Sequence, residues 1–230
     1  MRIKTNKDII AFYNIDYVTK FLKGYKKQYK RIGNLLFYFD LDKTDIVADF
    51  GCGLGVLLDF IHDKIDYYYG IDFCKEFIIR AKERVKKMEI RNASFECDDI
   101  REFCKRNKMK FNKAFTLDFS EHICDEDFIP IYTHIFDSLK TGGKLYLHTP
   151  NSIYFLEILK RKGFLKQFPE HVAVRDAEKY RILLTKAGFK KINVQYVPHY
   201  IKPISYFHCL SYLPFIGKYF KARILITCSK

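Results

Sequence analysis

Short apolar runs alternate with amphipathic segments between residues 45 and 150, and this alternation constrains the fold more than any other feature of the sequence. DIVADF, YYYGID, FNKAFTLD and KLYLHTP are typical of strands. Segments with helical periodicity, roughly ten to fifteen residues long, separate such runs. Strands that alternate with helices form right-handed crossovers and a parallel sheet. We therefore predict an α/β fold with a doubly wound, mostly parallel sheet that carries helices on both faces.

A cluster of glycines follows the first predicted strand and opens the first helix. Gly51, Gly53 and Gly55 stand in the run DFGCGLG, where glycines allow a tight turn and let a ligand lie against the backbone. The spacing differs from the GxGxxG of dinucleotide-binding loops, and Asp49 stands two residues before the first glycine. A carboxylate there would repel phosphates and favour a ligand that carries ammonium or sulfonium charge.

Further aspartates follow the next two predicted strands. Asp72 ends YYYGID, where its carboxylate is placed to accept hydrogen bonds from both hydroxyls of a ribose. Asp99 follows the third strand, where a carboxylate can take the exocyclic amine of adenine, and Asp98 is an adjacent competitor that spacing alone does not separate from it. The alternative interpretation is purely structural, a glycine turn with aspartates that cap helices.

At these residues the chain resembles the class I S-adenosylmethionine-dependent methyltransferases. The resemblance rests on DFGCGLG, on the acids in YGIDF and ECDDI, and on LKTGGKLYLHTPN, and it extends from about residue 45 to residue 197. It implies a Rossmann-like, seven-stranded sheet whose last strand is antiparallel, with S-adenosylmethionine at the carboxyl ends of the first strands. The residues that it assigns to the cofactor are Asp49, Gly51, Gly53, Gly55, Asp72, Asp98 or Asp99, and Asp118.

The length of 230 residues and the hydrophobic content of 48% predict a single domain. We expect a helical N-terminal cap over residues 1–44 and a cofactor-binding core over residues 45–150. An insertion, a last helix and edge strands are expected over residues 151–230. The two late apolar runs, KINVQYV and ARILITCSK, are expected to pair as antiparallel strands.

The segment DFSEH ends the fourth predicted strand, where this fold brings the acceptor to the methyl group. Asp118, Glu121 and His122 are spaced to share one face of a helical turn, and His171 lies in the insertion that follows the fifth strand. The pattern resembles ExxEH plus a distant histidine in ubiquinone-type O-methyltransferases and in small-RNA 2′-O-methyltransferases. There such side chains hold a divalent metal, although Asp118 departs from the family by replacing the first glutamate.

Three interpretations of these four residues stay open. In the first they bind Mg²⁺ or another divalent metal, which lowers the pKa of a bound hydroxyl. In the second His122 or His171 acts as a catalytic base without metal, with Asp118 as its neighbour. In the third the side chains are structural and only shape the pocket.

The function that the resemblance implies is methyl transfer from S-adenosylmethionine, and we expect an oxygen atom of a small or lipid-like molecule as the acceptor. The alternatives are an RNA methyltransferase of the 2′-O type, suggested by the net charge of +14, and a catalytically inactive binding protein of the same fold. Nucleic acid is therefore a possible partner that the sequence does not favour, since it shows no RNA-binding appendage.

The C-terminal run from residue 196 to residue 222 is dense in aromatic residues and has lysines at both margins. Either it is a buried cap over the last strands or it forms an apolar lid that touches anionic lipid. Seven cysteines without a CxxC pair indicate a reducing compartment. No signal peptide is visible, so we expect a cytoplasmic protein that at most lies on a membrane face.

Overall fold

The computed structural model of the protein describes residues 18, 19, 22 and 24–230. Slightly less than half of the predicted cap over residues 1–44 lies outside the described residues. Its described part includes helix α1 (Tyr25–Gly33) and a short 3₁₀ turn (Leu36–Tyr38). Ile32 of α1 is buried against the sheet core, so this helix covers one face of the fold.

Seven strands form one sheet in the order β3-β2-β1-β4-β5-β7-β6. Strands β1 to β5 run parallel to one another. Strand β7 lies between β5 and β6 and is antiparallel to both. The predicted α/β sheet, mostly parallel and seven-stranded with an antiparallel last strand, is confirmed. The strands are β1 (Ile46–Phe50), β2 (Tyr67–Asp72), β3 (Ala93–Cys97), β4 (Phe111–Leu117), β5 (Leu139–Pro150), β6 (Lys190–Val197) and β7 (Arg223–Ser229).

Helices connect the strands and cover both faces of the sheet. Besides α1, the helices are α2 (Leu58–Ile61), α3 (Lys75–Lys87), α4 (Ile100–Arg106), α5 (Asp125–Ser138), α6 (Phe155–Arg161), α7 (Ala177–Lys186) and α8 (Lys202–Ser205). The longer helices carry an apolar stripe with the helical period. For example, α3 buries Phe77, Ala81 and Val85, and its lysines face solvent.

The core is divided by the sheet into two layers, because successive side chains of a strand point to opposite faces. In β1, Ala48 and Phe50 join one layer with helices α4, α5 and α7. Val47 joins the other layer with α2 and α3. Because β1, β2, β3 and β4 are parallel, their carboxyl ends meet at the same edge of the sheet. The residues that follow these strands form the candidate site.

The segment between β6 and β7 contains only short helical turns, as its prolines and glycine require. Among all described helices, none combines the length and the apolar character needed to cross a bilayer.

Candidate active site

The glycine loop after β1 depends on backbone conformations that favour glycine. Gly51, Gly53 and Gly55 have φ values of +72°, +52° and +66°. The amide of Gly51 donates to the carbonyl of Ile71 at 2.8 Å, which ties the loop to β2. A Cβ atom on Gly51 would lie 2.6 Å from the ring of Phe119, so this position excludes any larger residue.

Asp72 holds this loop in place. Its Oδ2 accepts a hydrogen bond from the amide of Gly53 at 2.9 Å, and its Oδ1 accepts one from the amide of Cys74 at 2.9 Å. Burial raises the pKa of Asp72 to about 6, against the effect of these two amides. An ionised carboxylate has about four acceptor sites. The remaining acceptor sites are the ones that two ribose hydroxyls would need.

Asp49 lies beneath the loop, within β1. The hydroxyl of Tyr68 donates to its Oδ2 at 2.6 Å. Burial raises the pKa of Asp49 to about 7, although the bond from Tyr68 opposes the shift. At pH 7 the Asp49 carboxyl is therefore divided between its ionised and neutral forms, and a cation nearby would favour the ionised form.

The two candidates after β3 have different partners. Asp99 caps α4, because its Oδ1 accepts from the amide of Arg101 at 2.7 Å, and hydrogen bonds from the Arg101 side chain lower the pKa of Asp99. Asp98 pairs with Arg106 at 2.6 Å, and its amide donates to the carbonyl of Asp72 at 3.2 Å. The backbone amide of Asp98 is thus hydrogen-bonded to the end of β2, whereas the carboxylate of Asp99 caps α4.

An arginine that the sequence analysis missed supports the second half of the glycine loop. Arg84 of α3 donates to the carbonyl oxygens of Leu54 and Gly55 at 2.9 and 2.7 Å. It also pairs with Asp59, whose carboxylate accepts from the hydroxyl of Tyr25 at 2.7 Å. This network joins the loop to the N-terminal helix, and no local pattern in the sequence indicates it.

The structure brings together three of the four residues predicted at the acceptor end. A carboxylate oxygen of Glu121 and one ring nitrogen each of His122 and His171 all lie within 4.8 Å of one another. We call these three residues the Glu–His cluster. Nδ1 of His122 is 2.9 Å from the carbonyl oxygen of Glu170, which fixes the orientation of the ring. Nδ1 of His171 is buried and has no hydrogen-bond partner among the described residues.

Burial determines the protonation of the Glu–His cluster. It lowers the pKa of His122 to about 4 and that of His171 to about 3, so both imidazoles are neutral at pH 7. It raises the pKa of Glu121 to about 8, and the nearby charge of Asp118 adds to this shift. Without a cation, the cluster carries no net charge near neutral pH.

Asp118 lies beside the cluster and faces other partners. Its carboxylate pairs with Arg31 of α1 at 2.6 Å, with Arg223 of β7, and with Nδ1 of His148 at 3.2 Å. Burial alone would raise the pKa of Asp118, but the charges of Arg223 and Arg31 hold it well below its usual range. His148 of β5 is buried in this network.

One cavity connects the two halves of the site. It has a volume of about 300 Å³, and both Gly51 and Gly53 of the loop line it. Glu121, His122 and His171 line it as well. A ligand against the glycine loop and an acceptor at the cluster would therefore share one cavity.

Comparison with known proteins supports the resemblance seen in the sequence. Residues 47–143, which include the glycine loop and strands β1 to β4, match the sequence model of a family described as a methyltransferase domain. Residues 47–143 are therefore similar in sequence to a methyltransferase domain. Two curated relatives match shorter stretches of it. Malonyl-(acyl-carrier protein) O-methyltransferase 2 of Coxiella burnetii is 38% identical over 50 residues, and the probable cobalt-precorrin-6B C(15)-methyltransferase (decarboxylating) of Methanocaldococcus jannaschii is 32% identical over 79 residues.

These stretches are 21% and 33% of this chain, and they span only 20% and 40% of the relatives' own lengths. The two relatives methylate different kinds of atom according to their names, so they do not indicate one acceptor for this chain.

Solved structures of methyltransferases share the fold. A SAM-dependent methyltransferase from Archaeoglobus fulgidus superposes with a TM-score of 0.68 at 16% identity, over 92% of this chain and 99% of its own. The Haemonchus contortus phosphoethanolamine N-methyltransferase 2, in complex with S-adenosylhomocysteine, gives 0.67 at 16% identity, over 87% of this chain and 52% of its own. Together the matches support an enzyme of the class I SAM-dependent methyltransferases. They do not single out the ubiquinone-type subgroup.

Proposed function

We propose that the protein transfers a methyl group from S-adenosylmethionine (SAM) to an oxygen atom of a small or lipid-like acceptor. The observation that carries the proposal is the single cavity lined by the glycine loop at one end and the Glu–His cluster at the other. The whole chain, residues 1–230, is proposed to act as one methyltransferase domain, with residues 45–150 as its cofactor-binding core.

The cofactor would lie along the carboxyl ends of β1 to β3. Gly51 and Gly53 line the cavity and would place backbone without side chains beside the methionine part, and the charge of Asp49 behind the loop favours its ammonium and sulfonium groups. Asp72 has acceptor sites left for the ribose. Because Asp99 is used as a helix cap, we propose Asp98 as the partner of the adenine amine.

SAM supplies a methyl group that its sulfonium has already activated. The protein must therefore align the acceptor oxygen, exclude water and take the proton from the acceptor. Neutral His122 and His171 line the cavity where that oxygen would lie. Their low pKa values make them weak bases, so an unassisted proton transfer from an alcohol would be slow.

A divalent metal would remove this difficulty, and the Glu–His cluster fits one. Glu121, His122 and His171 offer one carboxylate and two imidazoles within 4.8 Å, and His122 is oriented by a carbonyl oxygen as metal-binding histidines commonly are. Such a metal lowers the pKa of a bound hydroxyl. Asp118 is left out of this proposed ligand set because two arginines hold its carboxylate.

A panel assay with methyl-labelled SAM tests the proposed acceptor class. The purified protein is incubated either with total RNA or with a lipid and quinone-precursor extract, and we expect label in the extract. His122→Ala should abolish the transfer, whereas His134→Ala on α5, outside the cavity, should leave it unchanged. Label that appears only in RNA would favour the 2′-O alternative, and no label in either fraction would favour an inactive binding protein.

A further inference from the structure

The segment between β6 and β7, residues 198–222, exposes large apolar side chains to solvent. Phe215 is 94% exposed, Tyr212 is 84% exposed and Tyr206 is 72% exposed. Phe215 also has a φ of +62°, which places its ring outward at some cost to the backbone. We call residues 198–222 the aromatic segment. Its remaining exposed apolar side chains are Ile201, Phe207, Leu213, Ile216 and Tyr219.

A second segment with the same character begins in the last turn of α6. Phe164 is 75% exposed in the run LKRKGFLKQFP, which we call the basic loop (residues 159–169). Leu165 and Phe168 are exposed beside it. The loop therefore also combines apolar side chains at the surface with several lysines and an arginine.

The two segments are joined and lie at the same cavity. Phe155 stands at the start of α6. The centroid of its ring lies 6.4 Å from that of Phe207 and 5.7 Å from that of Phe220, so α6 packs against the aromatic segment. Phe168 of the basic loop and Tyr200 of the aromatic segment both line the cavity of the candidate site. Each of the two segments therefore contributes at least one aromatic residue to the lining of the cavity.

The charge of this surface has one sign. No aspartate or glutamate occurs from residue 196 to residue 230, or from residue 158 to residue 169, although the chain has 27 acidic residues. Lys162, Lys166, Lys202 and Lys218 are exposed within the two segments. An isologous dimer through this surface would place like charges against each other, which is unfavourable.

We propose that the aromatic segment and the basic loop together bind the surface of an anionic lipid bilayer. Aromatic and aliphatic side chains enter the interface between headgroups and acyl chains, and lysines stay with the anionic headgroups. Nucleic acid would match the charge but not the exposed Leu165, Leu213 and Ile216, which offer no stacking surface for bases. Bound in this way, the protein would open its cavity toward the membrane.

Sedimentation with lipid vesicles tests the proposal on the full chain, with no cofactor present. We expect binding to an equal mixture of phosphatidylcholine and phosphatidylglycerol, and none to phosphatidylcholine alone. The double variant Tyr212→Ser/Phe215→Gly should lower the partition coefficient at least about tenfold. Phe37→Ser, which removes a phenylalanine that is 92% exposed outside both segments, should not change it.

The lysines provide an independent second variant. Lys162→Ala/Lys166→Ala should lower the partition coefficient about fivefold for each lysine removed, whereas Lys82→Ala/Lys86→Ala on α3, with the same change of charge, should have a much smaller effect. Circular dichroism spectra that match the wild type would show that the variants are folded.

Several outcomes would overturn the proposal: no binding to the mixed vesicles, equal loss in the control variants, or self-association that the double variant abolishes. Binding of labelled RNA with the same dependence on Phe215 would overturn it as well. Because the assay contains no SAM, its failure is distinct from a failure of the proposed methyl transfer.

Discussion

Replacement of Asp118 by asparagine tests the structural role of this carboxylate as the counter-ion of two arginines. The Asp118 carboxylate compensates two guanidinium groups, those of Arg31 and Arg223, and contacts His148. The side chains of Asp118 and Arg223 are 12% and 10% exposed, and that of Arg31 is 20% exposed. An asparagine at this position would keep the shape of the side chain and remove its charge.

The expected cost follows from the burial of the arginines. Removing one partner of a buried ion pair costs about 3–5 kcal/mol, because the charge that is left has no compensation. Arg31 keeps some contact with solvent, and the asparagine keeps one acceptor oxygen. We therefore expect the free energy of unfolding to fall by about 3 kcal/mol, at the lower end of that range. For a chain of this size such a loss moves the urea midpoint by about 1 M.

Urea unfolding followed by far-ultraviolet circular dichroism measures this cost, since the chain has no tryptophan. Glu102→Gln is the control, because Glu102 pairs with Lys105 at the surface, where both side chains are at least half exposed. Loss of this surface ion pair should lower the free energy of unfolding by less than about 1 kcal/mol.

The pH dependence gives a second check on Asp118. A carboxyl whose pKa is depressed in the folded state stabilises that state above its unfolded pKa of about 3.9, and this contribution is lost as the pH falls toward the folded pKa. The difference between wild type and Asp118→Asn should therefore be constant from about pH 5 to 8 and shrink in stronger acid. A difference below about 1 kcal/mol at pH 7 would refute the account of Asp118 as the counter-ion of two buried arginines.

Further variants test the two halves of the candidate site. Asp72→Ala should weaken SAM binding at least about tenfold in titration calorimetry, because it leaves two buried amides without an acceptor. Gly51→Ala should destabilise the fold by about 2–4 kcal/mol in urea unfolding, and a second change, Phe119→Ala, should restore part of the loss, since the added methyl meets that ring. Because burial raises the pKa of Glu121 to about 8, the metal-free protein should lose stability as the pH rises toward 8. Glu121→Gln should remove that part of the loss, and a variant that follows the wild-type profile would contradict it.

The local features of the site could be predicted from the sequence, because they depend on neighbours along the chain. The glycine loop and the aspartate at the end of β2 each follow a strand whose pattern is visible, and the structure places them at one sheet edge. The helix cap at Asp99 was also visible, since Asp99 stands three residues before Glu102, a pattern typical of helix starts. That signal favours Asp98 as the cofactor residue.

The contacts of Asp118 could not be predicted in this way. Arg31 reaches it from α1 and Arg223 from β7, and nothing in the spacing of these residues shows that they meet. The same holds for Arg84 and the glycine loop. Such pairs are determined by tertiary packing between distant elements. The acidic residues of the site could therefore be predicted from the sequence, but the arginines that neutralise them could not.

Titration calorimetry of the wild-type protein with SAM tests whether the carboxyl ends of β1 to β3 form a cofactor site. We expect one binding site per chain with micromolar affinity, and S-adenosylhomocysteine should compete for it. Asp72→Ala should lower the affinity, whereas the exposed-surface variant Glu102→Gln should not. Absence of detectable binding by the folded wild-type chain would contradict the claim that the glycine loop and the aspartates at this sheet edge form a SAM site.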